Sequence, residues 1–114
     1  MTEEEATALG KRLVACKGFR PMRGMLDMHG RTWDASLLWR WSNDVDVPDL
    51  RDPATLGCLL ALVREAYNER RTGVKWWTPG GCVYVEHPLL GWKRPDELFP
   101  TEAEALVAAL EAAP

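Results

Sequence analysis

PDLRDPATLGCLLALVREAY, residues 48–67, is written as a helix with its start marked. Asp52 stands where a capping carboxylate can accept a backbone N–H. Pro53 takes the first helical position, where its missing N–H costs nothing. Leu56, Leu59, Leu60 and Val63 recur at helical spacing, and Cys58, Leu62 and Ala66 widen the stripe. A helix patterned so broadly is expected to be buried over much of its girth. It is expected to run to about Glu69, with Thr72-Gly73 closing it.

The two ends of the chain carry matching start signals. Thr2 and Glu5 have the spacing of a capping box, and Glu3, Glu4 and Glu5 favour the positive end of a helix dipole. Leu9 and Leu13 lie one turn apart, with Ala6 and Cys16 on the same side, and Lys17-Gly18 supplies a basic turn and a left-handed stop. The first helix is therefore expected over residues 2–17. Near the other end, Thr101 and Glu104 repeat the capping box, and Leu106, Val107 and Leu110 form an apolar stripe among alanines.

Between these helices the period changes. Met22, Met25 and Met28 are interrupted by Pro21, Gly24 and Gly30, which excludes a helix. A strand is expected near residues 25–28, a turn at His29-Gly30, and further strands near 32–33 and 37–42. In the last of these, Leu37, Trp39 and Trp41 alternate with Leu38, Arg40 and Ser42. Residues 74–78 and 82–86 read as a hairpin around Pro79-Gly80-Gly81, the chemistry of a type II turn. That centre pairs Trp77 with Cys82, Trp76 with Val83, Lys75 with Tyr84 and Val74 with Val85. One face then carries Val74, Trp76, Val83 and Val85 as core. The other carries Lys75, Trp77, Cys82 and Tyr84. The order α-β-β-(β)-α-β-β-α predicts a single α+β domain over residues 1–114. Three helices would pack on an antiparallel sheet of about four to five strands.

Composition narrows the class without naming a reaction. At 114 residues, with 46% apolar and 27% charged side chains, the chain has the balance of one soluble globular domain. The net charge of −3 disfavours direct nucleic-acid binding. Against that, Lys11, Arg12, Lys17, Arg20, Arg23, Arg31 and Arg40 cluster ahead of an acidic loop holding Asp44, Asp46 and Asp49. Three cysteines without a CxxC spacing suit a reducing cytosol, with Cys16 and Cys58 as small core residues. The opening MTEEEATALG has no apolar stretch, so no signal peptide is expected. No run approaches the roughly 18 apolar residues of a membrane span. A cytoplasmic protein without membrane association is expected.

No constellation of catalytic side chains is legible. The two histidines, His29 and His87, lie in no recognisable motif. Cys82 and His87 share a strand, but five extended residues separate them by roughly 16 Å. There is no HExxH, paired CxxC or glycine-rich phosphate loop. Asn43, Asp44 and Asp46 lack the glycine and distal glutamate of a calcium loop. Neither a cofactor nor a metal is expected. The remaining signal is aromatic: Trp33, Trp39, Trp41, Trp76, Trp77 and Trp92 are many for so short a chain. Rings beside Lys or Arg make binding anchors. The candidate binding residues are accordingly Trp77, Tyr84, Lys75 and Arg40, with the acidic Asp44 and Asp46 as a second surface able to imitate phosphates toward a basic partner.

The stretches RLVACKGFRPMRGM at residues 12–25, PDLRDPATLGCLLALVREAY and PTEAEALVAALEAA at residues 100–113 resemble a group of small proteins encoded in bacteriophages, prophages and genomic islands, a group with no established activity or catalytic residue. The resemblance covers both ends and the central helix, while the strand regions look individual to this chain. It implies a mobile-element context, in which small acidic proteins often act by docking on host machinery, including as inhibitors of CRISPR and other defence systems. A non-enzymatic protein docking on a host protein is the expectation. The alternatives are a nucleotide-type small-ligand binder or sponge using the same rings and cations, a hydrolase of unrecognised type, and a nucleic-acid binder working through the arginines of residues 12–40.

Overall fold

The computed structural model describes residues 1–32, 47–68, 71–77, 82–86 and 99–113; for 74–77 and 82–86 the description is of backbone pairing. Three helices form as their start signals direct. Helix α1 spans Glu3–Val14, and the Glu5 N–H donates to Thr2 Oγ1 at 3.1 Å. Helix α2 spans Pro53–Ala66, and the Thr55 N–H donates to Asp52 Oδ2 at 2.9 Å. Helix α3 spans Glu102–Ala112, and the Glu104 N–H donates to Thr101 Oγ1 at 3.2 Å. Each cap satisfies one of the N–H groups that a helix start leaves without an intrahelical partner.

Among the described residues the buried core is aliphatic and draws on all three helices. Leu9 and Leu13 of α1, Leu59, Leu62 and Val63 of α2, and Leu106, Val107 and Leu110 of α3 join Met25 and Leu50 in one buried cluster. Helix α3 is its hub, packing against α1, α2 and both strands of the hairpin described below. Its small buried residues, Ala103 and Ala105, let neighbours approach closely. Tyr67, the C-cap of α2, donates its hydroxyl to the Ala109 carbonyl at 2.9 Å and ties α2 to α3.

The hairpin has the register expected from the position of its Pro-Gly-Gly centre. Strand β1, Gly73–Trp77, runs antiparallel to β2, Cys82–Glu86, with Val74 opposite Val85, Lys75 opposite Tyr84, Trp76 opposite Val83 and Trp77 opposite Cys82. The turn between them lies outside the described residues.

The expected α+β sheet of four to five strands is overturned. Among the described residues there are three helices and this one two-stranded ribbon, so the described part of the chain is mostly helical. Residues 25–28 make no strand. They form two isolated bridges, Leu26 with Thr32 and Asp27 with Pro48. The reason is where the backbone polar groups find partners. The Leu26 N–H donates to Thr55 Oγ1 at 2.8 Å instead of to a neighbouring strand. The buried Asp27 accepts the His29 and Arg31 N–H groups on Oδ1, both at 2.9 Å, and folds residues 27–31 into a tight turn. Gly30 occupies the left-handed region there, with φ of 80°. A side-chain hydroxyl thus takes one backbone donor and the Asp27 turn bends the chain, leaving backbone pairing at isolated bridges to residues 31–32 and 47–49. The strand expected at 37–42, and residue 33 of the one expected at 32–33, fall outside the described residues.

Three local expectations are also corrected. Helix α1 stops at the Ala15 cap, short of residue 17, and Gly18 does not adopt a left-handed conformation. Its role is spatial, since a Cβ there would lie 3.1 Å from Leu110 Cδ1. The buried face of α2 is Thr55, Leu59, Leu62 and Val63, with Leu56 and Leu60 only half-buried. The helix is turned so that the Thr55 hydroxyl can reach Leu26. Finally, α2 ends at Tyr67 with Asn68 in the left-handed region at φ of 52°, a conformation asparagine tolerates, so Thr72-Gly73 does not close it.

Candidate functional site

The candidate anchors fall in two places. Lys75, Trp77 and Tyr84 are on the ribbon, where the register sets Lys75 opposite Tyr84 and Trp77 opposite Cys82. Helix α3 packs against both strands and fixes the ribbon to the core. Arg40, Asp44 and Asp46 lie outside the described residues. The points where the chain leaves for that interval and returns from it are described, and they converge. Thr32 pairs with Leu26, Pro48 pairs with Asp27, and the Met28 N–H donates to the Val47 carbonyl at 3.1 Å.

A cleft of about 390 Å³ opens between the C-terminal ends of the three helices. Ala66, Leu110 and Gly18 supply apolar surface, and Arg12, Cys16 and Glu111 bring polar groups. Arg12 holds Glu111 at two points, Nη2 to Oε1 at 2.6 Å and Nε to Oε2 at 3.2 Å. That hydrogen-bonded carboxylate raises the guanidinium pKa above its ordinary value, outweighing the opposing effect of burial. Sequence reading missed this pair because 99 positions separate its members. The only hint was that each sits near the last turn of its helix.

Burial, and then the charge of Glu111, pushes the Cys16 thiol up, with Arg12 pulling the other way. The thiol donates to the Arg12 carbonyl at 3.4 Å. Burial and Asp52 likewise raise the Cys58 thiol, which donates to the Arg23 carbonyl at 3.7 Å. A nucleophilic cysteine needs the thiolate, so both environments work against nucleophilic use. Both side chains are half-buried against the core.

No family model, curated protein or solved structure matches this chain.

His29 is exposed at the tip of the Asp27 turn, with its backbone N–H bonded to Asp27. Among the described residues, no group of three His, Cys, Asp or Glu side chains is placed to hold a metal ion, and no helix is long and apolar enough to cross a membrane. The arrangement offers an anchored ribbon whose sequence carries two rings and a cation, and, between the helix ends, a cleft whose guanidinium is already engaged by a carboxylate.

Proposed function

We propose that the chain is a non-catalytic interaction protein of bacteriophage or mobile-element origin that docks on a host protein in the host cytoplasm. Inhibition of a bacterial defence system such as CRISPR is its sharpest form. The observation that carries this reading is the ribbon register. It sets Lys75 opposite Tyr84 and Trp77 opposite Cys82, on two strands braced by α3. Rings beside a cation on a rigid element are what interface anchors require, because little conformational entropy is lost when they engage. Arg40 and the acidic Asp44 and Asp46 extend the proposed surface, the acids toward a basic partner.

The test is capture of partners from host lysate with the wild-type chain and a Trp77→Ala/Tyr84→Ala variant, followed by affinity measurement on the purified pair. Loss of at least about 2 kcal/mol of binding in the variant, with an unchanged melting temperature, is the expected result. Equal affinity of the two proteins would remove the ribbon as the docking surface. Failure to recover a specific partner, with normal phage fitness after gene deletion, would remove the function.

A further inference from the structure

No further inference is drawn: the strongest candidate, the cleft between the C-terminal ends of α1, α2 and α3, has its Arg12 guanidinium already bonded to Glu111 and a lone cysteine, Cys16, on its wall, and nothing in the structure shows what covers it.

Discussion

Gly10, in the middle of α1, lies against Pro48: a Cβ added to Gly10 would come within 2.8 Å of the Pro48 carbonyl oxygen and 2.8 Å of Val47 Cγ2. Glycine normally weakens a helix interior by about 1 kcal/mol relative to alanine. Here that cost allows a returning segment to cross the helix at close range. Gly57 in α2 is the natural contrast, being exposed with nothing within 4 Å of its would-be Cβ. Gly57→Ala should stabilise the fold by about 1 kcal/mol. Gly10→Ala should destabilise it by about 1–3 kcal/mol despite the better propensity. Urea denaturation of both variants checks this, and a stabilised Gly10→Ala would mean the segment is not seated as described.

The Thr55 hydroxyl is fully buried, accepts the Leu26 N–H at 2.8 Å and donates to Asp52 Oδ2 at 3.0 Å. Thr55→Val keeps the shape and deletes both bonds, leaving a backbone donor without its partner. The expected loss is about 1–3 kcal/mol. Thr55→Ser restores the hydroxyl and should recover most of it. Equal stability of Val and Ser variants would show that the hydroxyl link is dispensable.

Leu62 is 1% exposed, whereas Leu60 lies at the edge of the core and is half-buried. Leu62→Asp places an unpaired carboxylate inside and should abolish cooperative folding, a loss on the order of 4 kcal/mol or more. Leu60→Asp should leave a folded, less stable protein. Calorimetry distinguishes them, and the reverse order would return α2 to the orientation expected from its leucine pattern alone.

Burial pushes the Asp49 carboxyl up, but hydrogen bonds from the Arg51 side chain and backbone, together with its charge, outweigh burial and leave the pKa lowered. A carboxylate whose pKa is depressed by folding contributes stability above its unfolded pKa and loses it as pH falls through the folded value. The difference in stability between wild type and Asp49→Asn should therefore be constant at neutral pH and shrink below about pH 4. Denaturation curves from pH 7 to pH 2 measure it. A gap that widens in acid would contradict the sign.

Caps were legible because a capping side chain reaches only a few residues, and Thr2, Asp52 and Thr101 carry that information locally. The ribbon register was legible because Pro79-Gly80-Gly81 marks its centre. The fold class was not. Residues 25–28 find their backbone partners in the near turn, in residues 47–49 and, for the Leu26 N–H, in the Thr55 hydroxyl, and a hydroxyl 29 positions away leaves no trace in local alternation. Gly18 misled because glycine serves both conformation and close contact, and only the position of Leu110 tells which. Of the candidate anchors, the sequence placed Lys75, Trp77 and Tyr84 on paired strands, as found. It could not reveal Arg12 and Glu111, whose meeting depends on how α1 and α3 pack.

Leu26 and Asp27 act as a clasp. Thr32 and Pro48 are fastened to adjacent residues of one dipeptide, and the Asp49 N–H adds a bond to the Leu26 carbonyl at 2.8 Å. A chain closed at its base in this way can be lengthened cheaply, since doubling an interval costs only about 0.6 kcal/mol in closure entropy. The clasp is built wholly from residues on either side of the interval 33–46, so its bonds draw on no residue within it.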